Sequence, residues 1–376
     1  IDTVVMEEGV VKTGMGIFCE HNNLTSVVIP DSLTEIVPGT FMRCAGLKSL
    51  TIPAGVVEIG ASAFYESGLT SIEIPEGIET IRNSALYGCR DLKSVKLPQS
   101  LKAIEMVAFA FCSGLTSIEI PEGVEEIREL AFHECSGLES IKIPKGMCRI
   151  EWETFTGCTS LRTLVIPETV TSIARRAFSG CTSLESIDWT DSIRTIELEA
   201  FQGCTSLKSV ELPKFLSNIE TSAVSDCTSL VSVEIPEGME SVPAGMFAGC
   251  TSLTSVKIPE GVKQTFRGCN LTSVVIPEST TNIWDGAFKD CQRFENIIFK
   301  GKKCSYSHQM LSNTASNLTA YVPVGSSDYY DKLSQYGNPN ITVTEYDVDF
   351  AQQPQNQSAV LGRSAKFSVV AEGSVA

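Results

Sequence analysis

The sequence predicts a right-handed solenoid of about fifteen stacked repeats, with a parallel β-sheet on its concave wall and short strands, short helices or irregular chain on its convex wall. Three observations predict it. Prolines at 30, 53, 75, 98, 121, 144, 167, 213, 236 and 259 recur with a period of about 23. The segment before each follows one strand pattern, as in Leu115-Thr-Ser-Ile-Glu-Ile-Pro121 and Leu138-Glu-Ser-Ile-Lys-Ile-Pro144. A second apolar set follows, as in Ile127, Phe132 and Cys135 or Ile150, Phe155 and Cys158. Self-similarity at a fixed period marks stacked units, none of which can bury its apolar face alone.

Each repeat position has a physical task. Strand positions 1, 4 and 6 carry Leu, Ile or Val and point inward, so positions 3 and 5 point outward. Proline at position 7 cannot donate to the ladder and ends the strand. Glu-Gly at 76–77, 122–123, 237–238 and 260–261 forms the turn, where glycine is expected to supply a positive φ. Ile173 with Phe178, and Ile196 with Phe201, face the core from the opposite wall. Trp189 takes position 6 and is expected to be buried, with Trp152 and Trp284 on the opposite wall. One unit departs in length: between Pro259 and Pro277 it is five residues short of the 23-residue period. That shortfall predicts a tighter turn and a local change of curvature.

Charge and composition narrow the function. The formal net charge is −16, which argues against nucleic acid or an anionic membrane as partner. No apolar run is long enough to span a bilayer. The three histidines, His21, His133 and His308, sit in separate repeats without zinc-ligand spacing. No nucleophile elbow or phosphate-cradling loop occurs, and the repeat already accounts for most of the carboxylates, so neither an enzyme nor a cofactor is expected. The four Asn-x-Thr sequons at 23, 270, 317 and 340 read as turn residues. Of fourteen cysteines, Cys44, Cys89, Cys112, Cys135, Cys158, Cys181, Cys204, Cys227, Cys250, Cys269 and Cys291 all stand three residues after the Phe position. They are expected to form one column of small, buried, free thiols rather than disulfides. Cys19, Cys148 and Cys304 lie off the column and are the more reactive if exposed.

The string L-x-x-[IV]-x-[IL]-P followed by I-x-x-x-A-F-x-x-C resembles the BspA-type leucine-rich repeats of bacterial surface proteins. The resemblance covers residues 1 to about 325. It implies a leucine-rich-repeat solenoid at residues 1–345, capped near 318–345, where Tyr321-Val-Pro-Val-Gly325, Tyr329-Tyr330 and Leu333 resemble a terminal unit. Residues 346–376 are read as a linker and the start of a bacterial immunoglobulin-like module, truncated because about thirty residues cannot make its two sheets. The chain opens at a repeat boundary without an initiator Met or leader, and is read as a mature or excised product.

The resemblance also implies a secreted or cell-surface protein that binds a host or microbial macromolecule, protein or glycan. A carbohydrate-binding surface protein and a structural spacer are the alternatives. The candidate ligand-binding residues occupy position 5. Charges alternate from Glu73 through Lys96 and Glu119 to Lys142, which reads as cross-strand pairing. Asp188, Glu211 and Glu234 break the alternation, making a candidate site for a cation or basic partner unless Lys208 or another position-2 side chain neutralises them. Lys257 is followed by an apolar strip of Val275, Ile298 and Tyr321, mirrored by the smaller pair Val5 and Val28. Such a strip is either an anchor for a partner or is covered by the cap, by Ile341–Thr344 or by the tail.

Overall fold

The computed structural model describes residues 1–346 other than 238, 240, 241, 244, 260–265, 270, 284 and 308, and the backbone alone of Tyr336. The chain divides into two compact units, residues 1–253 and 254–376. Both are parallel β-solenoids built from coils of about 23 residues.

In the first unit the strands form two columns. The outward column contains Ser71–Glu73, Ser94–Lys96, Ser140–Lys142, Thr163–Val165, Ser186–Asp188, Ser209–Glu211 and Ser232–Glu234. The second column lies on the opposite wall and is made of two-residue strands such as Arg149–Ile150, Ser172–Ile173 and Thr195–Ile196. Among the described residues every strand pairing is parallel and shifts by one repeat, as in Ile141 with Leu164 and Ile150 with Ile173. Side chains alternate across the long strands, so Ile72, Val95, Ile141 and Leu164 are buried between exposed neighbours. The core is a stack of identical layers: Phe132, Phe155, Phe178 and Phe201 are fully buried, with successive ring centroids 5.2–5.6 Å apart and nearly parallel.

The convex wall is also laddered. Phe132 N–H donates to Thr154 O at 2.9 Å and Phe155 N–H to Ala177 O at 2.8 Å. Left-handed residues turn the chain there, among them Val107 (φ 51°), Leu130 (57°), Glu153 (52°) and Arg176 (54°). This corrects the reading of the Glu-Gly turns. Gly77 has a φ of 97°, but Gly123 does not have a positive φ, nor does Gly146 in the equivalent Lys145–Gly146 turn. Gly146 is there for space: a Cβ on it would meet Val124 O at 2.6 Å. Most of the positive φ angles lie in the convex wall.

The cysteine column is buried, and none of the fourteen cysteines is in a disulfide. Off the column, Cys148 is exposed and Cys19 half-buried, while Cys304 is buried.

In the second unit, Ser273–Ile276, Asn296–Phe299, Thr319–Pro323 and Thr342–Tyr346 form one parallel sheet. Between its last two strands lie a four-residue helix, Ser327–Tyr330, and a 3-10 turn, Asp331–Tyr336. Tyr330 and Leu333 are buried, and the Tyr330 hydroxyl donates to Gly301 O at 2.8 Å. The short unit's strand residues Leu271, Val274 and Ile276 are buried. Its shortened wall, and the curvature change expected there, fall on residues 260–265 and 270, outside the described residues. So do Trp284, His308 and residues 347–376, on which the immunoglobulin-like reading rests.

Candidate binding surface

Where neighbouring outward strands pair, parallel register sets position 5 of one coil beside position 5 of the next. Glu73 therefore faces Lys96, and their side chains pair at 2.5 Å. The hydrogen bond with Glu73 holds the Lys96 ammonium above its ordinary value. Lys142 breaks the expected cross-strand pattern. It turns to Glu122 in the preceding turn, and that hydrogen bond lowers the Glu122 carboxyl below its usual range.

Asp188, Glu211 and Glu234 are all exposed, with Glu211 and Glu234 in direct register. Lys208 does not neutralise them. It pairs with Glu185 at 3.9 Å, and Arg162 reaches the same carboxylate at 4.0 Å. Asp188 and Glu211 form no ion pair with any described residue. Trp189, beside Asp188, is half-buried rather than buried. The indole is too wide for the Ile position. Its ring meets Phe201 edge-on at 5.5 Å, its N–H donates to Glu211 O at 2.5 Å, and Ile187 next to it is left half-buried as well. Trp152 is exposed on the opposite wall.

In the second unit, Val275 pairs with Ile298 and Ile298 with Tyr321, so the apolar strip is contiguous. All three are half-buried, while Lys257 is exposed at the end of Ser255–Lys257. Residues 342–344 do not fold over the strip, as one reading expected. Thr342–Tyr346 adds to the sheet edge, with Thr344 in register with Tyr321. Without it the backbone groups of Thr319–Pro323 on that edge would lack partners, and the parallel strand satisfies them. At the other end, Val5 and Val28 are exposed and in register.

Position 5 does not include every exposed group of interest. Phe215 is 54% exposed, with the Arg194 guanidinium carbon 5.5 Å and the Lys214 ammonium 5.7 Å from its ring centroid. A row of half-buried rings, Tyr65, Tyr87, Phe111 and His133, runs along the opposite wall with centroids 4.7, 5.2 and 5.3 Å apart. The signal for Phe215 was present in the sequence: the same turn position carries Gly77, Ser100, Gly123, Gly146, Thr169 and Ser192 in earlier coils. Among the described residues, no cluster of three or more His, Cys, Asp or Glu is placed to hold a metal ion. No helix among them is long and apolar enough to cross a membrane.

A family model described as a BspA type leucine rich repeat region of six copies matches overlapping stretches of the chain: residues 11–139, 57–185, 127–253, 171–295 and 262–332. Among solved structures, the chain is similar to a leucine-rich repeat protein from Bacteroides ovatus. The two are 26% identical over 92% of this chain and 84% of that one, with a TM-score of 0.70. It is also similar to a leucine-rich repeat protein from Eubacterium ventriosum, at 22% identity over 84% and 83% of the chains and a TM-score of 0.49. A leucine rich cell surface protein from Faecalibacterium prausnitzii is 24% identical over 88% and 90%, with a TM-score of 0.36. A comparison with curated proteins finds no match.

Proposed function

The chain belongs to the BspA-type leucine-rich repeat family, and from that premise we propose that it is a secreted or cell-surface binding scaffold, without enzymatic activity, that recognises a host or microbial macromolecule. The carrying observation is the contrast between inward and outward columns. The Leu, Ile, Phe and Cys positions repeat almost unchanged and are buried. Position 5 is left over from the core, yet it changes from coil to coil: an acidic column at Asp188, Glu211 and Glu234, and an apolar strip at Val275, Ile298 and Tyr321 beside Lys257. A varied surface on an invariant scaffold is how repeat proteins present extended binding faces.

Of the two stretches, the strip is the stronger candidate for a protein ligand. Contiguous apolar surface with a tyrosine is typical of interface anchors, and Lys257 supplies a polar rim. In this reading the repeat array spans 1–345 with its cap near 318–345, and the tail at 346–376 leads into a further module.

The experiment is binding of the purified chain to immobilised matrix proteins, run beside a glycan array. A protein ligand is expected. Tyr321→Ala should weaken it by about tenfold, or about 1.4 kcal/mol. Its thermal midpoint should change little, because Tyr321 is only half-buried. Unchanged affinity removes the strip from the binding site. Binding to glycans alone transfers the function to the carbohydrate-binding alternative.

A further inference from the structure

The coils that carry Asp188 and Glu211 depart from the repeat at four neighbouring positions. Trp189 stands where most other coils have Ile or Leu, and Thr190 stands where most have proline. Lys214 and Phe215 stand where other coils carry a small second residue, four of them as Glu-Gly at 76–77, 122–123, 237–238 and 260–261. Contacts between the two coils place these departures side by side, the Trp189 indole N–H donating to Glu211 O at 2.5 Å. The Lys214 backbone N–H donates to Asp191 Oδ1 at 2.9 Å, and Arg194 reaches the Phe215 ring in the next coil. The Arg194 guanidinium also donates to Asp191 O at 2.6 Å and Ile193 O at 3.2 Å, which fixes its stem.

The fold does not require any of this. The equivalent turns close with glycine at Gly77, Gly123 and Gly146, and an exposed phenyl ring there buries nothing in the core. The charge is reversed as well. The same turn position is acidic at Glu76, Glu122, Glu168, Asp191 and Glu237, and Lys145 is the other cation in it. Lys145 is followed by glycine, whereas Lys214 is followed by an exposed ring.

We propose that Phe215, Arg194 and Lys214, with Trp189 in the adjacent coil, form a contact patch for a protein segment that presents a carboxylate beside an apolar side chain. This deepens the binding-scaffold reading and rests on it. Arginine and aromatic side chains are the groups that most often anchor interfaces. The ring offers the apolar contact. The two cations offer charge-assisted hydrogen bonds to a carboxylate, Arg194 through its Nε and Nη2, since its Nη1 is taken by the Asp191 and Ile193 carbonyls. Asp188 and Glu211 border the patch and make no ion pair with described residues. They repel a continuous polyanion such as a sulfated glycan, so the partner's carboxylates are isolated. The acidic turns of neighbouring coils repel the same segment and confine it to this one.

The repeat itself supplies a clean variant. Lys214→Glu with Phe215→Gly restores the Glu-Gly of other coils, so the fold is retained, and the thermal midpoint checks this. A random dodecapeptide display library is panned on the purified full chain. Enriched peptides are expected to carry Asp or Glu beside an apolar residue. They should lose at least about tenfold in affinity for the double variant and for Arg194→Ser, and bind Tyr321→Ala normally. Peptides that bind the double variant as well as the parent overturn the patch while leaving the scaffold reading standing. Enriched peptides without acidic residues also overturn it. No enrichment at all overturns the patch and counts against peptide recognition by the scaffold as a whole. A glycan whose binding is lost in the double variant reassigns the patch to sugar.

Discussion

At the scale of single residues, the cysteine column is more than small apolar filling. The Cys135 thiol donates to Phe109 O at 3.1 Å, and Cys112 does the same to Leu86 O in the coil before. Phe109 O already accepts the Cys112 N–H at 3.1 Å, so the thiol of the next coil takes its second lone pair. Where serine replaces cysteine the polar group is still satisfied: Ser67 Oγ lies 3.3 Å from Cys89 Sγ. Burial pushes the thiols up, to about 11 at Cys89 and about 12 at Cys135 and Cys204, against an ordinary value of 9.0. In the unfolded chain these thiols ionise near their ordinary value, while in the folded chain they remain protonated. Above pH about 9 the folded state therefore binds more protons than the unfolded state, and its stability falls as pH rises towards 12. The thermal midpoint is expected to drop steeply between pH 9 and 11 and to be nearly flat from 6 to 7.5. A midpoint insensitive to alkaline pH would show that the column does not govern it. A thiol reagent at neutral pH should label Cys148 first, and the column only on denaturation.

At the scale of the element, the outward strands were legible because alternation is a one-residue signal: Ser-Ile-Glu at 71–73 states which side each residue faces. The Phe and Cys columns were legible because they recur. The geometry of the convex wall was not, because its left-handed residues are chemically mixed. Val107, Leu130, Glu153 and Arg176 share one conformation that Gly16, Gly39 and Gly245 adopt in other coils. Glycine there was a signal, but it was outweighed by the more visible Glu-Gly turns. Trp189 was misplaced because position predicts direction but not fit. The pairing of Thr342–Tyr346 with the sheet edge, where one alternative has Ile341–Thr344 cover the strip, is not legible because an edge's need for hydrogen-bonding partners leaves no mark in the sequence. The candidate binding residues were legible as a column, whereas Phe215 required comparing one turn against all the others. A test of the convex wall follows from Val107. A β-branched side chain at a φ of 51° is strained. Val107→Gly relieves that strain against a smaller entropic loss, so it should stabilise by about 0.5–1 kcal/mol. Chemical denaturation measures the change, and a destabilised variant would mean that the packing of Val107 outweighs its strain.

At the scale of the whole molecule, the repeat decides how damage spreads. A coil packs on the coil before and the coil after, so stability within the first unit is a sum of nearest-neighbour interfaces rather than the property of one shared core. Phe155 tests this. Its ring is fully buried between Phe132, at 5.6 Å, and Phe178, at 5.2 Å. Phe155→Ala should cost about 3–5 kcal/mol, a large share of the 5–15 kcal/mol of a typical domain. In a single cooperative core that loss would lower the protection of every amide equally. In a stack it falls on the two interfaces that lose the ring. Hydrogen exchange of the Phe132 N–H, bonded to Thr154 O, and of the Phe178 N–H, bonded to Ala200 O, should accelerate by two to three orders of magnitude. The Phe41 N–H, bonded to Ala63 O in the same unit, lies several coils away and should exchange at its original rate. Equal acceleration at Phe41 and Phe132 would show that the unit unfolds as one body despite its repeats. Acceleration confined to the coils around Phe155 would show that each coil can be altered without loosening distant ones, which is the property that lets position 5 vary along an otherwise constant stack.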